Sequence, residues 1–150
     1  MVDARAKGQR GEYAVRDLLR EHTGLQWERT PASGALEYLK GDLYIPNEKP
    51  KFVIEVKNYK DSALNDKILT NTTNNLNIWW TKLLHQAEQN KCEPLLFFKY
   101  DRSKIFVATQ REPRTVINYL CWKQKSCYSM LAEEFLIKEW KHYATMAGYL

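Results

Sequence analysis

No apolar run in this chain is long enough to cross a bilayer; the longest, such as Leu95–Phe98, are a few residues. Membrane-spanning helices are therefore not expected. The first ten residues are polar and basic, with Arg5, Lys7 and Arg10. They lack the apolar h-region of a secretory signal, so secretion is not expected either. Cysteine is scarce. Cys92, Cys121 and Cys127 are odd in number and widely spaced, with no CxxC pair and no Cys/His zinc pattern. They read as reduced thiols, which places the chain in the cytoplasm of a cell or of a virus-infected host. His22, His85 and His142 are scattered and read as surface or packing residues. Repeats and low-complexity tracts are absent.

What is present fits one globular domain. A length of 150 residues matches the size of a single core. Hydrophobic residues make up 44% and charged residues 27%, both ordinary for a soluble fold. The net charge of +5 suits a nucleic-acid partner, because neutralising phosphates takes Lys and Arg.

A helix is expected from about Ala6 to His22, because Val15, Leu18 and Leu19 recur at helical spacing and Gly24 supplies a stop. Glu12 borders that apolar face. By periodicity it reads as an i, i+4 partner of Arg16. Leu25–Thr30 alternates as a strand, with Leu25, Trp27 and Arg29 on one face. The loop that follows contains Ser33 and Lys40, residue types that can hold a phosphate and are equally ordinary loop chemistry.

The informative stretch is Gly41–Lys60. Leu43–Ile45 and Phe52–Val56 are two apolar strands, and Pro46 and Pro50 confine the residues between them to a turn. A symmetric hairpin pairs Ile45 with Phe52, Leu43 with Ile54 and Asp42 with Glu55. Directly opposed Cβ atoms lie about 4.5–5.5 Å apart, so the two carboxylates can share one divalent ion. Glu55 and Lys57 project from the same face, about 6.5–7 Å apart along the strand. Mg²⁺ takes hard oxygen ligands. Asp42 and Glu55 supply them, and the Val56 carbonyl is a further candidate. Lys57 is suited to orient an attacking water or to hold phosphate oxygens.

Asn58–Asn75 reads as a long Asn-rich loop with at most a short helix. Leu76 to about Asn90 is a helix with a wide apolar stripe, and Gln86 flanks the stripe within possible reach of the site. Leu95–Tyr100 and Lys104–Ala108 form a β-hairpin. Ala132, Phe135, Leu136, Glu139, Trp140 and Tyr143 suggest one terminal helix with an aromatic face.

Four pieces in order, KGQRGE at 7–12, RTPASG at 29–34, GDLYI at 41–45 and VIEVKNYK at 53–60, resemble the PD-(D/E)xK nuclease superfamily. Within it they are most similar to the archaeal-type Holliday junction resolvases. The resemblance covers about residues 5–108, and Gly41 stands where that family places a proline. It implies an α/β fold, a restriction-endonuclease-like mixed β-sheet flanked by α-helices in a single domain. The whole of 1–150 is then one nuclease domain, with its core at about 5–108 and a C-terminal extension at about 109–150. It implies that Asp42 and Glu55 are metal ligands and Lys57 the catalytic lysine. Glu12 completes the acidic site, directly or through a water, and Ser33 is a catalytic loop serine. Lys7, Arg10, Arg29, Lys40 and Lys60 face DNA. The implied cofactor is Mg²⁺, with Mn²⁺ as a substitute, and the implied assembly is a homodimer cutting paired strands of four-way junctions. Two other readings stay open. One is a nuclease of the same fold acting on flaps or linear duplex in repair or restriction. The other is a non-catalytic DNA-binding module.

Overall fold

The strand Phe52–Tyr59 (β3) is the centre of the computed structural model, which describes residues 3–31, 41–70 and 73–149. On one side it pairs antiparallel with Leu43–Tyr44 (β2), and on the other parallel with Glu93–Tyr100 (β4). A parallel pair needs a crossover, and the helix Asn75–Asn90 (α3) provides it. Outward from β4 come Phe106–Thr109 (β5), Cys127–Leu131 (β7) and Leu120–Trp122 (β6), all antiparallel. Glu28–Arg29 (β1) forms the other edge beside β2. Among the described residues the sheet is seven-stranded, in the order β1-β2-β3-β4-β5-β7-β6. This is an α/β fold, a mixed β-sheet flanked by α-helices, as expected.

Period-two alternation along β3 sends its side chains into two separate cores. Phe52, Ile54 and Val56 join Val15 and Leu19 of Ala4–Thr23 (α1), together with Trp27, Phe135, Trp140 and Tyr143. Val53 joins Trp80, Leu83, Leu96 and Phe98 under α3. Glu55 and Lys57 follow Val53 in the alternation, so they emerge on the α3 side, where the strand runs past its apolar cover.

The first helix ends as expected. Gly24 adopts a left-handed φ of 72° and its N–H bonds the Arg20 carbonyl. Three expectations are corrected. The strand at 25–30 shortens to Glu28–Arg29, since only those residues find a partner in β2. The loop expected from residue 58 begins later, because β3 runs on to Tyr59; the short helix allowed within it is Lys67–Thr70 (α2). The single terminal helix is two, Ala132–Lys138 (α4) and Trp140–Met146 (α5), broken at Glu139. The buried Glu139 carboxylate accepts from the backbone N–H groups of Arg114 (2.7 Å), Thr115 (2.7 Å) and Val116 (3.2 Å), and from the Thr115 hydroxyl. A residue so engaged holds the chain between two helix axes. Beyond residue 109 the chain continues the same sheet through β6 and β7, and α4 and α5 place Phe135, Trp140 and Tyr143 in the first core.

Candidate active site

Leu43 faces Ile54 across the β2–β3 pair, as the symmetric hairpin requires. The ladder stops there, because β2 is two residues long and Ile45 already accepts a turn bond from Glu48 N–H. Asp42 is clamped from three directions. Its N–H donates to the Ile54 carbonyl (2.6 Å), its carbonyl accepts from Thr30 N–H (2.9 Å), and its Oδ2 accepts from Val56 N–H (2.7 Å). Bonds to residues 54 and 56 bracket Glu55. Gly41 makes this approach feasible. Its φ is +83°, and a Cβ there would sit 2.5 Å from the Ile54 carbonyl oxygen. Proline, fixed near −65°, cannot adopt that backbone, so its replacement by glycine follows from the geometry.

The Glu55 carboxyl is pushed up to about 7, first by burial, then by the charge of Asp42 and the hydrogen bond the two acids share. Lys57 and Lys82 oppose the shift. Lys82, on α3, was not singled out by sequence reasoning. Its one sequence signal is its place three residues after Trp79 on the helix that crosses over the site. Gln86 is not among the described residues lining the cleft.

The cleft has a volume of about 510 Å³ and brings Asp42, Glu55, Lys57, Glu12, Lys7 and Lys60 onto one surface. Close packing of α1 on β3 places Glu12 and Lys7 there. A Cβ on Gly11 would lie 2.8 Å from Asn58 Cβ, and Asn58 Nδ2 donates to the Lys7 carbonyl (3.0 Å). Glu12 does not pair with Arg16, which bonds Asp17 (2.9 Å) and stacks on Tyr13. It accepts instead from Arg29 Nε (3.1 Å), and Arg29 also reaches the Tyr13 hydroxyl (3.2 Å). Lys7 pairs with Asp101, whose carboxyl it holds below the usual range. Arg10 is exposed on α1 and does not line the cleft. Ser33 and Lys40 lie outside the described residues. Among the described residues, no group of three or more His, Cys, Asp or Glu side chains is placed to hold a metal ion. The acidic pair is thus Asp42 and Glu55, with Glu12 lining the same cleft. No described helix is long and apolar enough to cross a membrane.

Comparison with known proteins bears on this arrangement. Residues 3–147 match the family described as "Phage putative PDDEXK endonuclease". The chain is 36% identical over 156 residues to Protein D14 of Escherichia phage T5, an alignment covering 97% of this chain and 96% of that protein. Among solved structures, Hjc of Archaeoglobus fulgidus, a Holliday junction resolvase, matches with a TM-score of 0.44 at 16% identity, covering 83% of this chain and 88% of that one.

Proposed function

The chain belongs to the phage PDDEXK endonuclease family, and from that membership we propose that it is a Mg²⁺-dependent endodeoxyribonuclease selective for branched DNA, four-way junctions first among them. The observation that carries the metal-dependent chemistry is the Asp42–Glu55 contact beside Lys57. The charge of Asp42 is one of the causes that raise the Glu55 carboxyl, and a divalent cation would relieve that repulsion with two positive charges. All the donors are hard oxygens: Asp42, Glu55 and the Val56 carbonyl would hold the ion, which suits Mg²⁺ and allows Mn²⁺. Bound there, the cation supplies positive charge to the phosphate and acidifies water.

The chain's own groups do the rest. Val56 N–H fixes the Asp42 carboxylate, so that acid needs no reorganisation when substrate arrives. Lys57 leaves β3 on the same face as Glu55 and acts as a point charge for a non-bridging phosphate oxygen or the attacking water. Glu12 is oriented by Arg29 and completes the acidic wall. Lys7 and Lys60 line the cleft as phosphate contacts, and Lys7 exchanges Asp101 for DNA. Arg29 lies on the neighbouring edge strand; by resemblance Arg10 and Lys40 extend the DNA-facing set, and Ser33 is the catalytic loop serine. Selectivity for four-way junctions is supported by the order of the four sequence pieces, and a homodimer supplies the second cut.

Offering a four-way junction, a Y-fork and a linear duplex of matched sequence side by side with Mg²⁺ tests this reading. Symmetric paired nicks in the junction, abolished by EDTA, are expected. Equal cutting of the linear duplex removes branch selectivity, and no cutting of any DNA with Mg²⁺ or Mn²⁺ removes the enzyme.

A second expectation concerns the metal alone. The folded Glu55 carboxyl titrates near 7, above its ordinary 4.5, so between those values the native state holds a proton that the unfolded chain has lost. Metal-free stability from this group therefore falls as pH rises through that window. The Mg²⁺-induced gain in melting temperature should be larger at pH 8 than at pH 5, and Glu55→Gln should flatten the difference. An equal gain at both pH values contradicts the site.

A further inference from the structure

Beyond the acidic pair and its lysine, β3 carries one more side chain on the same face, and the chemistry described so far does not use it. Val53, Glu55, Lys57 and Tyr59 alternate onto the α3 side of the sheet. Tyr59 lines the cleft with Glu55 and Lys57, yet it is 44% exposed. Its ring stacks on Trp79 of α3, with centroids 5.0 Å apart and planes at 29°. Trp79 is half-buried and packs against the second core, so it backs the tyrosine with a fixed support. The result is a braced aromatic surface standing between two cations in sequence, Lys57 and Lys60, on the rim of a cleft lined by acids and lysines.

Burial does not account for this arrangement. A tyrosine placed only to cover Trp79 would gain by sinking against it, and nearly half of Tyr59 remains in water. An aromatic face flanked by lysines is what nucleic-acid proteins use to hold a base that has left its stack, because every base offers a π-face while the cations hold its backbone. Tyr59 lies two residues beyond Lys57, about 6.5–7 Å along the strand. A phosphate at Lys57 would therefore put the neighbouring nucleotide over the ring. Continuous duplex has no base face free at that position, whereas a branch point interrupts the stack and exposes one.

We infer that the Tyr59–Trp79 pair is a stacking platform that receives the base face exposed at a branch beside the scissile phosphate, and that it is the specificity determinant for branched over linear DNA. The inference rests on the nuclease reading for its substrate, and its test is independent of cleavage. Binding is measured in EDTA, with branched and linear oligonucleotides carrying 2-aminopurine at the branch or at the matched duplex position. The intact protein and Tyr59→Phe should quench the probe at the branch and bind branched DNA more tightly than linear. Tyr59→Leu still covers Trp79 but has no π-face. It should lose the quench and weaken branched binding roughly five- to 150-fold, with linear binding little changed. If Tyr59→Leu quenches and discriminates as the intact protein does, the platform is wrong and the nuclease reading stands. If it weakens both DNAs equally, Tyr59 is structural and the inference falls. If the intact protein binds neither DNA, the proposed function falls and takes the platform with it.

Discussion

Asp42→Asn should lower Mg²⁺-dependent cleavage by about a thousandfold while leaving the fold and DNA binding in place. The expectation follows from how little else the substitution disturbs. Asparagine keeps a side-chain oxygen, so the bond from Val56 N–H survives, and the backbone bonds to Ile54 and Thr30 do not involve the side chain. What is lost is one charge of the pair that would hold the cation. The charge of Asp42 is also one cause of the raised Glu55 carboxyl, so removing it should bring Glu55 down towards its ordinary range. The variant should therefore melt no lower than the parent in EDTA at neutral pH, yet gain less from Mg²⁺. Glu55→Gln should share the loss of cleavage. Single-turnover cleavage together with a melting curve separates these effects: parental cleavage by Asp42→Asn would remove the acidic pair from the chemistry. A large fall in melting temperature would instead show that its charge is structural.

The parts of this site that sequence makes legible are those a single hairpin contains. Two prolines bound the turn, the apolar strands set the register, and Leu43 meets Ile54 as counted. The parts that escape are made by contacts between elements distant in sequence. Glu12 looks like a partner for Arg16 because helical periodicity compares a residue only with its own helix, and its actual partner Arg29 comes from the edge strand. Lys82 bears on Glu55 only because the crossover helix lies over β3, which residue spacing within α3 does not reveal. By sequence Tyr59 belongs to the loop at 58–75. The strand extends to it through parallel pairing with β4, where Tyr59 meets Tyr100, and a parallel partner supplies no local turn signal. The glycine at 41 shows a departure from a family pattern becoming intelligible once φ is known: the left-handed backbone there excludes the proline.

The break in the terminal helix is the other place where a distant contact overrides a local pattern, and it leads to the second large effect. Glu139→Ala should destabilise the protein by about 3–5 kcal/mol, because it leaves three backbone N–H groups of the 114–116 segment without their acceptor, while the Thr115 hydroxyl keeps the Lys138 carbonyl (2.9 Å). For a chain of this size that corresponds to a fall in melting temperature of roughly 6–20 °C. Glu139→Gln should recover only part of it, since the amide presents a donor where an acceptor oxygen stood. The pH dependence has a definite sign. Burial by itself would raise the Glu139 carboxyl, but the Thr115 hydroxyl and the N–H groups of Arg114, Thr115 and Val116 outweigh it and hold the group below its ordinary 4.5. A depressed folded value means that the stabilisation is complete above 4.5 and is lost as pH falls through the folded value. The parent should therefore lose stability in that acid range, and the difference between parent and Glu139→Ala should narrow there. Residues 114–116 and 139 do not line the acidic cleft, so cleavage per folded molecule should be unchanged below the melting transition. A Glu139→Ala protein that melts with the parent would show that the clasp holds nothing. One that folds but has lost cleavage would show that the helix break transmits to the acidic pair, a coupling the packing described here does not contain.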